Sequence, residues 1–428
     1  MPAPTSSYSN PTGCVVNFLY NLGIHLYKSA VRIASLSNPK AKKMVEGHKE
    51  TFGRLQAALP AEGGAIWIHA SSLGEFEQGR PLIERLRREH PDRKILLTFF
   101  SPSGYEVRKN YPLVDAVTYL PFDTPRNARR FIETVRPSVA IFIKYEFWGN
   151  YLQQLAKAGV PVYIISAIFR PGQIFFRPYG GMFRKMLRRF DRIYLQDENS
   201  RQLLAGICID NTVVAGDTRF DRVTDVMAGT CEIAGGDALR SFIIFGSSWE
   251  ADEANYLPWL NANPEVKFII APHEFDAARV SALCDAVSGN VIPLSQWEKH
   301  IADNGTAPAG VRGIVVDCFG KLASLYRYAS VAYIGGGHGA GIHNINEAAV
   351  YGIPVVFGPN YHKFKEARDL IALGGAFCVT DAATTSSTLD RLLSDEQFRT
   401  SAGKTAARYI ADNIGATDRI FTDLFPEK

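Results

Sequence analysis

"YIGGGHGAGIHNINEAAVYGIPVVFGPNYHKFKEA", residues 333–367, decides the fold class. An apolar run ends in three glycines, Gly335 to Gly337, and a glycine-bearing loop follows. "HNINEAAVYG" then reads as a helix with Asn344 near its start, and "GIPVVFGP" as a returning strand. Strand, loop, helix and strand make the repeating unit of a parallel sheet. Glycines such as Gly336 and Gly337 let backbone approach a ligand closely, and a helix start offers unpaired N–H groups to a phosphate. Glu347, about one turn in, is placed to accept hydrogen bonds from ribose hydroxyls. The loop lacks the Gly-Lys-Ser/Thr ending of a P-loop and the GxGxxG of a nicotinamide site, which argues against both. A plainer reading remains, in which the glycines serve tight strand-to-helix turns.

The same pattern extends in both directions. Strand-like runs "AIWIHA", "KILLTFF", "AVTYLP", "VAIFIK", "VPVYIIS" and "RIYLQ" alternate with helix-like stretches from residue 64. After about residue 240 it restarts with "SFIIFGSS", "VKFIIAPH", "GIVVDC" and "VAYIGGG". The chain therefore reads as α/β, two Rossmann-like domains facing a cleft, with ligands expected at the carboxyl ends of the strands. The expected divisions are a membrane-associating segment at 1–50, a first domain at 51–210 and a second at 211–428. "SAGKTAARYIADN" (401–413) is expected to pack back toward the first domain. A length of 428 residues suits two such domains.

Apolar residues make up 46% and charged residues 21%, an ordinary globular balance, and the net charge is only +4. The charge is uneven: "RPYGGMFRKMLRRFDR" (177–192) is basic and suits anionic partners, unless it is simply a solvated helix face. Cysteines 14, 208, 231, 284, 318 and 378 lie far apart without a CxxC, so reduced thiols are expected rather than a disulfide frame. "CVVNFLYNLGIHLYKSAVRIASL" (14–36) is apolar but interrupted by His25, Lys28 and Arg32, too short a run for the roughly 20 apolar residues of a membrane span. Phe18, Leu22, Leu26 and Ile33 fall near helical spacing, with cations toward the far end. This predicts a helix lying in a membrane surface, the alternative being a helix packed on its own domain.

In "IWIHASSLGEFEQGRPLIERL" (66–86), Glu75 stands directly after Gly74 at a strand-to-helix turn. An acid there favours the helix dipole, or serves as a general base in a cleft. Ser71 and Ser72 either hold substrate oxygens or cap the helix. Glu146 follows "VAIFIK" and is placed to orient an acceptor or a sugar hydroxyl. Ser247 and Ser248 begin the second domain's first turn, suited to a carboxylate or phosphate. His273 ends "FIIAPH", within reach of a nucleotide phosphate, and Arg219 lies near the junction.

These segments, in order, resemble the 3-deoxy-D-manno-octulosonic acid (Kdo) transferases, inverting glycosyltransferases of GT-B fold. The resemblance rests on "HASSLGE" (69–75), "FFSPSGYE" (99–106), "YLPFDTP" (119–125), "EFWGN" (146–150), "GDTRFDRV" (216–223) and the 333–367 stretch. It implies that CMP-Kdo donates Kdo to a lipid A precursor in lipopolysaccharide core synthesis, at the cytoplasmic face of the bacterial inner membrane, with no nucleic acid involved. It also implies Glu75 as catalytic base and no obligatory metal or other cofactor. Beside Glu75, the positions of Ser71, Ser72, Gly74 and Glu146 make them the expected acceptor-side residues, and those of Ser247, Ser248, His273, Gly336, Gly337, Asn344, Glu347 and Arg219 the expected donor-side residues. The sequence departs from the family at Lys144, where an acid is usual, and at Pro272, where an arginine is usual. Two other readings stand beside it: a GT-B enzyme using a UDP-sugar, as transferase or 2-epimerase, and a catalytically inactive nucleotide-sugar-binding protein at the membrane.

Overall fold

The computed structural model describes residues 11–60, 62–229 and 231–426, with side chains from residue 18 onward apart from residues 225, 226 and 228. The first ten residues of the expected 1–50 segment, and the Cys14 side chain, lie outside this description. The chain forms two compact units, Met1–Asp221 with Gly415–Lys428, and Arg222–Ile414.

The first unit is built on strands β1 (Ile66–Ala70), β2 (Ile95–Phe99), β3 (Ala116–Tyr119), β4 (Val139–Ile143), β5 (Val162–Ala167), β6 (Arg192–Leu195) and β7 (Thr212–Val214). They form one parallel sheet ordered β3-β2-β1-β4-β5-β6-β7. The strands carry near-continuous apolar residues because both faces are covered. Trp67, Leu96, Ala140 and Phe142 pack on one face, and Ile66, Ile68, Leu97 and Ile141 on the other. The chain turns back on itself between β1 and β4, so the loops leaving these two strands open a crevice at the sheet's carboxyl edge.

The second unit repeats the plan with β8 (Phe242–Ser248), β9 (Phe268–Pro272), β10 (Val291–Pro293), β11 (Gly313–Val315), β12 (Ala329–Ile334), β13 (Val355–Phe357) and β14 (Ala376–Cys378). Its parallel order is β10-β11-β9-β8-β12-β13-β14, with the reversal between β8 and β12.

Three boundaries differ from the expected ones. Helix α2 (Pro39–Ala58) runs through position 50 and buries Leu55 in the first core, so 1–50 is no separate segment. The units divide at Asp221/Arg222 rather than 210/211, because the Asp221 carboxylate accepts the Gly415 and Thr417 amides of the returning chain. Residues 401–413 stay in the second unit, within helix Glu396–Asn413. The helix that returns is the next one, Ala416–Leu424, which buries Ile420 and Phe421 in the first core.

Helix α1 (Pro11–Ala34) lies on the first unit through its polar face. The Tyr20 hydroxyl donates to Asp123 Oδ2 (2.6 Å) and accepts the Gly149 amide (3.1 Å), and Asn150 Nδ2 donates to Asn21 Oδ1 (2.8 Å). Phe18, Leu22, Leu26 and Ile33 point away and are 44–69% exposed. No described helix is long and apolar enough to cross a membrane. The basic run 177–192 differs from expectation as well. Arg184, Arg188 and Arg189 donate to the carbonyls of Phe175, Ile207 and Gly149, and Arg192 pairs with Asp423, so these cations brace the fold. The five cysteines with described side chains form no disulfide.

Candidate functional site

In the first unit the expected residues gather at the β1/β4 reversal. Ser71 and Ser72 follow β1, and Ser72 is the N-cap of α3 (Leu73–Glu89), with Glu75 in its first turn. Ser72 makes no side-chain bond to the helix backbone; its hydroxyl donates to Glu75 Oε2 instead. Glu75 Oε1 receives no hydrogen bond from any described residue, leaving one carboxylate oxygen available to take a proton. Above Gly74 the space is open, since a Cβ there would meet nothing closer than Ser72 Oγ at 3.8 Å.

Across the crevice, Lys144 directly follows β4 with a left-handed backbone (φ 69°), a conformation costly for a side-chain-bearing residue and concentrated at functional sites. Burial and the nearby Arg219 hold the Lys144 ammonium below the usual lysine range, and Glu75 and Asp217 oppose this shift. Lysine where an acid was usual thus puts a cation in the field of Glu75.

Glu146 is buried. His69 Nε2 lies 3.1 Å from its Oε2, and Trp148 Nε1 donates to the same oxygen (2.6 Å). His69 is fixed in turn by Thr98 Oγ1 at 2.9 Å, which accepts from Trp67 Nε1. Such a chain locks the carboxylate's position. Glu146 and Ser71 sit on the wall of a cavity of about 540 Å³ whose other walls include Tyr20, Phe100, Trp148 and Phe175. An aromatic cavity with a fixed carboxylate suits a sugar carrying apolar substituents.

Arg219 does not join the other donor-side candidates. It belongs to the first unit, where its guanidinium is paired with Asp217 (2.7 Å) and lies near Lys144.

In the second unit, Ser247, next to the last residue of β8, has a left-handed conformation (φ 54°) and lies beside Gly335, which follows β12. Ser248 is committed to structure: its hydroxyl donates to Glu253 Oε1 (3.1 Å) and its carbonyl accepts the His273 amide (2.9 Å). The glycines are explained by packing. A Cβ on Gly336 would stand 2.4 Å from the Gly341 carbonyl oxygen, and one on Gly337 2.5 Å from the Gly358 nitrogen. The Gly336 amide is already bound, donating to Asp252 Oδ2 (2.7 Å), and the His338 amide reaches the same carboxylate (3.4 Å). The helix expected over "HNINEAAVYG" is a single turn, Asn346–Ala349. The Gly336 amide is therefore not offered to a phosphate, and the long helix start expected beside it is a single turn.

The second crevice offers side chains instead. Exposed His273 is stacked between Trp249 (centroids 4.6 Å) and His343 (4.3 Å), and Trp249 Nε1 donates to His343 Nε2 (3.1 Å). Burial, and His273 beside it, hold the His343 imidazole below its ordinary range. Asn344 Nδ2 donates to Glu347 Oε1 (3.0 Å), and burial pushes the Glu347 carboxyl above the usual range. Trp249 and Asp252 were not singled out in the sequence, and His343 figured there only as the first residue of "HNINEAAVYG"; the β8/β12 reversal brings the three together. A further cavity of about 640 Å³, bounded by Phe275, Cys284 and Asp317, contains none of the expected residues. Among the described residues no cluster of three or more His, Cys, Asp or Glu has metal-site geometry.

Residues 46–222 match the family model described as 3-deoxy-D-manno-octulosonic-acid transferase (kdotransferase). The 3-deoxy-D-manno-octulosonic acid transferase of Aquifex aeolicus is 27% identical over 328 residues, covering 73% of this chain and 81% of the relative. That of Haemophilus influenzae is 26% identical over 422 residues, covering 92% and 94%. Among solved structures, MurG of Acinetobacter baumannii superposes with a TM-score of 0.53 at 15% identity, covering 84% of this chain and 98% of its own. The two-sheet architecture is that of the GT-B glycosyltransferases.

Proposed function

As a homologue of the Kdo transferases this chain is a glycosyltransferase, and we propose that it moves Kdo from CMP-Kdo to a hydroxyl of a lipid A precursor, with inversion. The observation that carries this reading is Glu75 at the β1/β4 reversal, with one carboxylate oxygen tied to Ser72 and the other unoccupied. A sugar hydroxyl attacks only as its proton leaves, and Glu75 is the base placed to take it. Lys144 supplies a positive field near the anionic reactants, and Glu146 and Ser71 orient the acceptor in the aromatic cavity. In the second unit His273, His343 and Ser247 hold the donor's anionic groups, and Glu347 accepts from ribose hydroxyls. The transfer needs no metal, and chelator should leave its rate unchanged. Purified protein given CMP-Kdo or a UDP-sugar, each with lipid A precursor, tests the donor. Transfer from CMP-Kdo alone is expected; transfer from the UDP-sugar would favour the other GT-B reading.

Glu347→Gln keeps the shape but weakens acceptance from hydroxyls. It should raise the donor KM by about 10-fold or more, the worth of one charge-assisted hydrogen bond, with a smaller change in kcat. Because burial raises this carboxyl, wild-type donor affinity should begin to fall on acidification above the usual glutamate range, and the variant should lack that loss. An unchanged KM would remove Glu347 from the donor site.

The exposed stripe of α1 supports a location at the cytoplasmic face of the inner membrane, as the resemblance implies. Burying a leucine or phenylalanine side chain contributes roughly 1.5–3 kcal/mol. The triple variant Phe18→Glu, Leu22→Glu, Leu26→Glu should therefore lose vesicle binding by about 100-fold or more in co-sedimentation. Retained binding would assign the stripe to another contact.

A further inference from the structure

A second cavity in the first unit, of about 400 Å³, takes no part in the chemistry above. Lys28 and Arg32, one turn apart on α1, line it together with Lys49 of α2, and its other walls include His48, Phe52, Phe122 and Asn127. No carboxylate lines it. Of the other cations on α2, Lys43 faces Glu106 at 4.0 Å and Arg54 holds Glu50 at 2.8 Å, while Lys40 and Lys42 form no ion pair with a described residue but do not line this cavity. Lys28, Arg32 and Lys49 form no ion pair with any described residue, and Arg126 adds a fourth positive charge in the field of Lys28. Like charges gathered around a concave surface repel one another unless an anion joins them.

The surroundings narrow the anion's nature. Phe122 forms part of an aromatic wall with Phe100, Tyr27 and His48, at centroid separations of 4.7–6.3 Å. Phe100 and α1's Tyr20 also line the 540 Å³ cavity that contains Glu146. Tyr20 and Lys28 are eight residues apart on one helix, about 12 Å along its axis. On its outer side the same helix carries the exposed apolar stripe.

We propose that the Lys28–Arg32–Lys49 cavity is a binding site for a phosphate monoester. Three cations converge on a dianionic head, and the Phe52 and Phe122 rings receive the group it esterifies. The phosphate comes either from a lipid in the membrane that α1 rests on or from a soluble phosphate compound. The site stands independently of the transfer reaction, since it uses none of the residues assigned to it.

Full-length protein is tested on phosphatidylcholine vesicles doped with phosphatidic acid, a monoester, or with phosphatidylglycerol, a diester, at equal surface charge. Wild type should bind the phosphatidic acid vesicles about 10-fold more tightly, and Lys28→Ala/Arg32→Ala should abolish that preference. Lys49→Glu, at an exposed position, should do the same with an unchanged Tm, which separates loss of the site from loss of fold. Calorimetry with inorganic phosphate identifies the source: binding without vesicles points to a soluble compound, and binding seen only with vesicles points to a lipid. Equal affinity for the two vesicle types, or a double variant that keeps the preference, would overturn the proposal. Wild-type protein that transfers Kdo but shows no preference fails this site alone, and wild-type protein that keeps the preference but transfers no Kdo fails the transferase reading alone.

Discussion

Glu75→Gln should lower kcat by about 10²–10⁴-fold, the usual contribution of a positioned general base, while leaving donor affinity within about 3-fold of wild type. The competing role for this residue is structural, because an acid in a helix's first turn stabilises the dipole by about 0.3–1 kcal/mol. Ser72 and Glu75 have the spacing of a capping box, but the reciprocal backbone bonds of that motif are not made; the serine hydroxyl meets the carboxylate instead. The stability cost of the substitution should therefore stay below about 1 kcal/mol, far from explaining a thousandfold loss of turnover. Single-turnover rates beside urea denaturation of the same samples separate the two roles. A variant that unfolds early yet turns over normally when folded would return Glu75 to a structural part.

Asp123→Ala should be the most destabilising single change in the first unit, at about 3–5 kcal/mol. Its fully buried carboxylate accepts the Tyr20 hydroxyl (2.6 Å) and the amides of Asn150 and Tyr151 (3.0 Å each). Truncation leaves all three donors buried without a partner, at about 1–3 kcal/mol apiece. Tyr20→Phe removes one donor and should cost only about 1 kcal/mol. Burial raises the Asp123 carboxyl to about 6, against the opposing pull of the Tyr20, Asn150 and Tyr151 hydrogen bonds. Between the ordinary value of 3.8 and about 6 the folded state thus binds the proton that the unfolded chain releases. This group's contribution to stability therefore falls as pH rises through that window and is level above it. Urea midpoints of the first unit across the window should show the fall in wild type and lose it in Asp123→Ala. A loss of unfolding free energy of less than about 1 kcal/mol in the variant would mean that α1 and the 149–151 turn are held by other contacts.

How far the sequence could be read depended on how local each signal was. Long apolar runs such as "AIWIHA" and "VAIFIK" became central strands because a strand buried on both faces must be apolar throughout. Thr212–Val214, Val291–Pro293 and Ala376–Cys378 did not stand out, being three-residue strands at or near sheet edges with little burial to mark them. Glu75 was legible because one acid follows one strand directly. The crevice around it was not, since Lys144, Trp148 and His69 reach their places through strand order. The glycine loop was read for the wrong physical reason: its close approaches are to Gly341 and Gly358, and Asp252, distant in sequence, takes the Gly336 amide. The basic run 177–192 misled similarly, because composition cannot tell an arginine facing solvent from one spanning carbonyls.

In the proposed reaction this chain joins Kdo to a lipid-borne hydroxyl with Glu75 as base. Its most direct test is a time course of purified wild-type protein with CMP-Kdo and lipid A precursor, following the lipid by mass spectrometry and CMP by chromatography. The lipid should gain Kdo in step with CMP release, and Glu75→Gln should give neither product at a comparable rate. CMP-Kdo left intact by the wild-type protein, or CMP released without any change in the lipid, would contradict it.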